Sequence, residues 1–600
     1  MCGILGNFGY FDRSDFSEQE KYISDRMLRR GPDQQNLFEA DYFISKHSRL
    51  IVQGSGDDGI QPMRFENLIL LFNGNLYNKD DLKQELISKG YKFIGISDTE
   101  VIIKSLHCWK NLAFKKFNGF FSIAYFDSSI SKLILARDRF GQKPMYFSKK
   151  NSSVFFGSTE EFIPKKYRGN IRNESIIDFI TYGFVPSPNT MFKNLFSLHP
   201  GSYLEFSLNE GNIQQSKVKQ YWKPEITNEI TDIVEAENLI SEALDKSIKE
   251  GMNASIDVAC LFSGGVDSSL ILSKSREINN EVCGITANFG NEDDAAERSI
   301  SLAKALQHKN HLIKNISEED VNSSLGSTSA ICDTPFDDTS LIPSNIVFST
   351  VRESGYSVAL TGDGADELFC GYSSFGNLKK LEPYLNSKLD HIIRSPFKYP
   401  ARLFSSFFGL DFSRFFMNED DLLKDLLCNG FKMREWQGLI DTDYNPLHYL
   451  NNILSVRDSL SPLDKLRILN LEFKLPYQML YKVDRASMFN SVEARPIFLN
   501  NTIVDASLKI SSSTMLCNGQ KSVLKNIYQS QICHAGWSLP KTGFGWKTNS
   551  YDKIFNTQDN EFLKNQIGID GLSLLDRRKK HHKRAYYGLF SLVSWLRVNT

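Results

Sequence analysis

Apolar residues in the first third of the chain come in runs of strand length, at 67–72, 121–126, 132–136 and 154–156, separated by Gly and Asn turns. Two helical patterns interrupt them, at 79–89 and 100–109. Strand-rich sequence with few helices predicts an α+β layered domain over residues 1–208. Polar residues then rise over 209–232, and a linker is expected across 209–235. Beyond it the pattern alternates. A helix at 236–250, a buried strand at 258–262, a helix opening at 268–274 and a strand at 281–287 precede a helix at 295–307 and strands at 311–314 and 357–361. Such alternation predicts an α/β domain over 236–600, with a doubly wound parallel sheet and a mostly helical C-terminal part. No internal repeat is evident.

Six hundred residues exceed one domain, which agrees with this division. Hydrophobic residues at 41% and charged residues at 24% exclude a disordered or fibrous chain. Lys plus Arg number 70 against 71 Asp plus Glu, so the net charge of -1 gives no general pull toward nucleic acid or an anionic membrane. Nine cysteines without a CxxC pair fit neither a disulfide framework nor a structural zinc site, and a reducing cytoplasm is expected. No apolar run approaches the roughly 18 residues of a membrane span. The N-terminus lacks the basic and apolar regions of a signal peptide.

The second residue is a cysteine. A small residue there permits removal of the initiator Met, leaving a thiol and a free α-amine on one residue. The amine titrates near pKa ~7.7–8.0 and can accept the thiol's proton, so one residue supplies nucleophile and base. Alone, Cys2 reads as a chance second residue. Its surroundings are ordered: MCGILG opens the chain, RRGPD spans 29–33, SRL 48–50, NGNLYN 73–78, SDTEV 97–101 and ARDRFGQKPMYF 136–147.

In order and spacing this series resembles the class II glutamine amidotransferase domain, an N-terminal-nucleophile hydrolase with αββα layers. The resemblance implies that Cys2 attacks the glutamine amide carbon. The Asn73 side chain and the Gly74 N–H become oxyanion donors, acting on charge that develops only in the tetrahedral intermediate. Arg49 is implied to hold the α-carboxylate and Asp98 the α-ammonium, with Asn75 beside them in glutamine binding. The asparagine synthetase branch usually has Glu at position 75, whereas other class II amidotransferases have Asn, so amine recognition is expected to be tuned and not lost. Thr159-Glu160 replaces the usual Ser-Glu and keeps a hydroxyl.

A second constellation is DVACLFSGGVDSSLILSK at 257–274, a Gly-rich turn between a buried strand and a helix. Glycines let backbone N–H groups close on phosphate, and the helix N-terminus adds partial positive charge. No GK[ST] follows, so this is not a Walker A loop. It resembles the SGGxDS loop of ATP-pyrophosphatases, which cleave ATP between the α and β phosphates. By that resemblance Leu261, Ser263, Gly264, Gly265 and Ser268 bind ATP and Asp267 reaches Mg²⁺. Downstream, TGDGADE at 361–367 resembles the asparagine synthetase pattern SG[ED]GxDE. Thr361 and Gly362 are then expected at ATP, Asp366 at Mg²⁺, and Asp363 near the acyl-adenylate as an acid/base group. Phosphate-bound Mg²⁺ commonly takes only one or two carboxylates.

LYKVDRASMFNSVEARPIFLN (480–500), NGQKSVLK (518–525) and PKTGFGW (540–546) extend the likeness, with Asn500 for the family's Asp and Lys525 for its Arg. Lys521 is the candidate cation for the α-phosphate and the pentavalent transition state. Nearly the whole chain thus resembles the glutamine-hydrolysing asparagine synthetase family. That implies glutamine, ATP and aspartate as substrates, ATP and Mg²⁺ at the second site, no nucleic acid or membrane partner, and a homodimer left open. Two alternatives stay open: the same chemistry on a sugar or peptide carboxylate, or a catalytically weak regulatory homologue suggested by Asn75, Thr159, Thr361 and Asn500. The basic run at 576–584, with His581 and His582, is expected as a solvated helix face, and the Phe-rich 397–416 as ordinary packing.

Overall fold

The computed structural model describes residues 2–600 apart from 55, 290–293, 386–418, 429, 441, 533–553 and 579–582. The Phe-rich segment, the PKTGFGW loop, Cys533, His581 and His582 therefore lie outside the described residues.

Two antiparallel sheets face each other in the first domain. One has six strands in the order Phe196–Ser197, Tyr146–Lys150, Ser153–Gly157, Gly3–Gly9, Phe43–Arg49 and Gln34–Ala40. The other runs Asn212–Gln215, Ser202–Asn209, Lys132–Arg137, Gly119–Asp127, Leu68–Leu76 and Met63–Phe65, with Lys219–Gln220 also paired to Ser202–Asn209. Alternation along a strand sends successive side chains to opposite faces. In Leu68–Leu76, Ile69 and Leu71 join the core between the sheets, beside Ile4, Phe43 and Phe156. Leu68, Leu70 and Phe72 point outward into a second core with Leu82, Leu86, Val101 and Leu106 of the helices Lys79–Ser88 and Asp98–Trp109. Helices Arg13–Tyr22, Ser24–Arg30 and Asn173–Tyr182 cover the other sheet. The layers are αββα, and strands buried on both faces explain the unbroken apolar runs.

The second sheet runs past the end expected for it. Asn212–Gln215 and Lys219–Gln220 fall inside the 209–235 stretch expected as linker, yet both pair with Ser202–Asn209. They are mostly exposed edge strands, and edges are kept polar, which gives them the composition of a linker. Glu210 and Gly211, both at positive φ, make the hairpin turn. Asp232 then caps the helix Ile233–Gly251, its Oδ1 accepting the Glu235 N–H at 2.9 Å.

The second domain is built on a five-stranded parallel sheet in the order His311–Asn315, Cys283–Asn288, Val258–Leu261, Val358–Thr361 and Glu493–Pro496. The helices Ile233–Gly251, Val266–Ile278 and Leu341–Glu353 pack on it, and a largely helical region follows to Asn599. In parallel sheets of this kind ligands bind beyond the carboxyl ends of the strands, and the loops after Leu261 and Thr361 lie there.

Candidate active sites

Cys2 precedes the first strand and is buried. Its backbone N donates to Asn73 Oδ1 at 2.9 Å. That contact turns Asn73 Nδ2 away, and among the described residues this buried amide has no partner. A buried donor without an acceptor is costly unless a ligand oxygen meets it. At Gly74 an added Cβ would lie 2.0 Å from the Phe120 carbonyl oxygen, so only glycine permits the approach of the neighbouring strand.

The cavity beside Cys2 is lined by Arg49, Gln53, Gln61, Gly74, Asp98, Thr99 and Glu493, among others. Arg49 ends the strand Phe43–Arg49 and donates to the carbonyls of Gly56 (2.8 Å) and Gln53 (3.3 Å) and to Gln34 Oε1 (3.4 Å). All three acceptors are neutral, so its charge is oriented and available to a carboxylate. Asp98 opens the helix Asp98–Trp109, with Ser97 as N-cap, and its Oδ2 accepts the Leu76 N–H at 3.2 Å. Burial pushes the Asp98 carboxyl above its ordinary value, while Lys79 pulls it back. Asn75 accepts from Gln53 Nε2 at 2.9 Å and leaves its own buried Nδ2 without a partner among the described residues.

Burial also raises the Cys2 thiol pKa, against the pull of the chain N-terminus, the Leu50 N–H and Arg49. His47, on the strand beside Cys2, is held neutral by burial, its pKa lowered to about 3. It is a structural imidazole bonded to the Phe72 carbonyl at 3.1 Å.

The second constellation surrounds the SGGVDSS turn. The strand Val258–Leu261 ends at Leu261, which is partly buried; Gly264 has φ +70°, and Gly265 caps the helix Val266–Ile278. A Cβ at Gly264 would come within 2.7 Å of the Ser299 backbone, so glycine is required there. Ser268 Oγ accepts from the Ser263 N–H and lies 3.2 Å from Ser263 Oγ, holding the loop closed on itself.

From the neighbouring strand Val358–Thr361, Thr361 Oγ1 donates to Asp363 Oδ2 at 2.7 Å. A Cβ on Gly362 would press on Asp267 at 3.3 Å, so the two loops touch. Lys521 joins them: its Nζ contacts Asp267 and lies 2.7 Å from Asp366 Oδ1. Despite burial, those carboxylates hold the Lys521 ammonium above its ordinary pKa. Lys521 itself has φ +56°, a conformation costing on the order of 1 kcal/mol for a side-chain-bearing residue. Asp363 is raised by burial and opposed by Lys482.

Asp267 Oδ1 is buried without a partner among the described residues, so it retains a site for a cation. No three His, Cys, Asp or Glu side chains gather as a metal cluster among the described residues. A pair of carboxylates beside a phosphate loop is the donor set that Mg²⁺ takes when phosphates supply its other ligands.

Arg49, Gly74 and Asp98 line the Cys2 cavity, Asn73 is bonded to the Cys2 nitrogen and Asn75 to Gln53 of the cavity wall. Asp267 and Asp366 meet at Lys521, with Gly362 against Asp267 and the turn 263–268 carrying it. Three contributors were not foreseen. Glu493, from the second domain, lines the Cys2 cavity and forms a fully buried pair with Arg495 at 2.7 Å. Gly371 lets Lys521 meet Asp366, because a Cβ there would strike both. Lys474, from the π-helical segment Asn470–Met479, places its Nζ 3.5 Å from the Tyr372 ring centroid. Burial lowers its pKa to about 8.

Comparison with known proteins fits both constellations. A glutamine amidotransferase domain model matches residues 1–222, and an asparagine synthase model matches 239–578. The chain belongs to the asparagine synthase family. It is 27% identical over 590 residues to asparagine synthetase [glutamine-hydrolyzing] 1 of Bacillus subtilis, covering 94% of this chain and 90% of the relative. It is also 27% identical over 405 residues to asparagine synthetase [glutamine-hydrolyzing] 3 of the same organism, covering 62% and 64%. Among solved structures, the allosteric regulatory enzyme of purine biosynthesis matches at 14% identity and TM-score 0.28, over 52% of this chain and 80% of that one. This family member is a ligase that carries out glutamine-dependent, ATP-driven amidation, with glutamine and ATP as substrates. Among the described residues no helix is long and apolar enough to cross a membrane.

Proposed function

We propose that the chain makes asparagine from aspartate through a β-aspartyl-AMP intermediate, with nitrogen taken from glutamine at Cys2. The observation carrying this reading is the pairing of a buried N-terminal cysteine bonded to Asn73, whose amide nitrogen has no partner among the described residues, with a Gly-rich turn whose Asp267 shares Lys521 with Asp366.

At the first site, removal of Met1 turns the Cys2 nitrogen into an α-amine, which takes the thiol proton as sulfur attacks the glutamine amide carbon. Asn73 Nδ2 and the Gly74 N–H stabilise the oxyanion, Arg49 holds the α-carboxylate, and Asp98 and Asn75 hold the amine end. As the intermediate collapses the protonated amine hands that proton to the departing nitrogen, the C–N bond breaks and ammonia leaves; water then hydrolyses the thioester to glutamate and the free thiol.

At the second site, the loop from Ser263 to Ser268 holds the departing pyrophosphate, and Leu261, Thr361 and Gly362 border the nucleotide. Asp267 and Asp366 would hold Mg²⁺, which supplies positive charge to the phosphates. The aspartate side-chain carboxylate attacks the α-phosphorus and pyrophosphate leaves, while Lys521 meets charge on the pentavalent phosphorus. Ammonia then attacks the acyl carbon, AMP departs with its electron pair, and Asp363 accepts the excess proton. Ammonia is mostly protonated in neutral water, so delivery through the interior keeps it nucleophilic. The buried cluster Tyr77, Phe120 and Met488 across the domain interface fits such a path.

The test supplies MgATP, aspartate and amide-¹⁵N-glutamine. Labelled asparagine with equimolar AMP and pyrophosphate is expected. Glutamate without asparagine would move the acceptor to another carboxylate, and no product at either site would mark a regulatory homologue.

A further inference from the structure

A carboxylate of the second domain reaches the backbone of the nucleophile in the first. Arg30, the last residue of the helix Ser24–Arg30, is buried, and its Nε donates to the Cys2 carbonyl oxygen at 3.2 Å. Its two terminal nitrogens donate to the two oxygens of Asp484 at 3.0 and 3.1 Å. Asp484 lies on the helix Leu480–Phe489 and also accepts from Arg485 at 2.9 Å and Lys143 at 3.4 Å. Burial opposes its charge, yet Arg30, Lys143 and Arg485 hold the carboxyl well below the usual carboxylate range. Arg485 in turn forks onto Asp333 at 2.9 and 3.1 Å, and Asp333 accepts the Glu160 N–H at 2.6 Å.

A guanidinium held by a bidentate fork on one side has one orientation left for its Nε. That orientation fixes the carbonyl of the residue that carries both thiol and amine. Cys2 would have no peptide before it once Met1 is removed, so its backbone is then held by the contact of its nitrogen with Asn73 and by this bond to its carbonyl. Among the described residues no hydrogen bond joins Arg30 or Asp484 to Arg49 or Asp98.

We propose that Asp484 is a positioning residue for the glutaminase: through Arg30 it holds the Cys2 backbone so that the thiol and α-amine face the glutamine cavity. This rests on Cys2 being the nucleophile. The same helix carries Lys482, whose Nζ donates to Ser340 Oγ at 3.0 Å and whose charge acts on Asp363. One rigid element therefore touches the surroundings of both sites. Misplacement of a reacting group by about 1 Å can cost about 100-fold in rate.

The experiment compares full-length wild type, Asp484→Asn and Arg30→Lys in glutamine hydrolysis and in ammonia-dependent amide synthesis. Arg30→Lys keeps a cation on Asp484 while removing the Nε donor, so it carries the test even if the Asn variant fails to fold. Expected is a fall of about 100-fold in glutaminase kcat, a glutamine KM changed by less than about threefold, and ammonia-dependent synthesis retained; Asp484→Glu should restore part of the kcat. A kcat within about threefold of wild type in both variants would overturn the proposal. So would parallel loss of both activities, which is the signature of a purely structural contact. Wild type that does not hydrolyse glutamine would overturn the assignment of Cys2, and this inference with it.

Discussion

In the Cys2 cavity one guanidinium, Arg49, rests on neutral oxygens; of the two buried carboxylates in the wall, Glu493 is paired with Arg495 and Asp98 stands near Arg49. Beside the phosphate loop, by contrast, Asp267 and Asp366 close on Lys521, with Asp363 and Glu367 adjacent. The first arrangement leaves one charge of each sign for a zwitterion. The second ties its charges to each other until a polyanion and a cation take their places. The difference teaches how each site is made selective. On the function proposed above, one is preorganised for a small amino acid, and the other exchanges its internal ion pairs for those of a charged nucleotide complex.

The largest effect that would sharpen this contrast is on Cys2→Ala. It should abolish glutamine-dependent product and leave ammonia-dependent product intact; loss of both would remove the separation between the sites. Lys521→Met should lower the rate of pyrophosphate release by about 100-fold or more, because it removes the charge proposed to meet the transition state. Glutaminase measured on the same variant should be unaffected. Asn73→Ala should cost about 100- to 1,000-fold in glutaminase kcat, with glutamine binding little changed, as steady-state kinetics would reveal. Arg49→Lys should act mainly on glutamine KM, by about tenfold, since a lysine cannot reproduce the planar fork.

The smallest effect concerns pH. On the function proposed above, ionised Asp98 holds the glutamine amine, and burial has raised its pKa. Glutamine KM should therefore rise as pH falls, with a midpoint above the ordinary carboxylate value of ~3.9. Asp98→Asn should flatten that limb, and an unchanged profile would detach Asp98 from the amine.

Much of this was legible before any coordinates. Strands such as Leu68–Leu76 announce themselves by apolar runs, and Asn73-Gly74 and SGGVDSS carry their backbone demands in their glycines. Other features were hidden for physical reasons. Glu493 belongs to the wall of a cavity whose nucleophile lies at the other end of the chain, and periodicity carries no trace of that approach. Arg30 and Asp484 are 454 residues apart, and each alone reads as an ordinary surface charge. Lys474 sits on a π-helical segment containing Pro476, where the 3.6-residue repeat does not report which face a side chain takes. The hairpin Asn212–Gln215 was concealed by its own exposure.

The central claim is that two sites so differently charged act as one through the interior between them. Its most direct test runs the synthesis with amide-¹⁵N-glutamine in the presence of excess unlabelled ammonium. The account predicts asparagine enriched in ¹⁵N far above the label in the bulk ammonium pool. Asparagine carrying only the isotope ratio of the bulk pool would contradict it, because the ammonia would then have left the protein before it reacted.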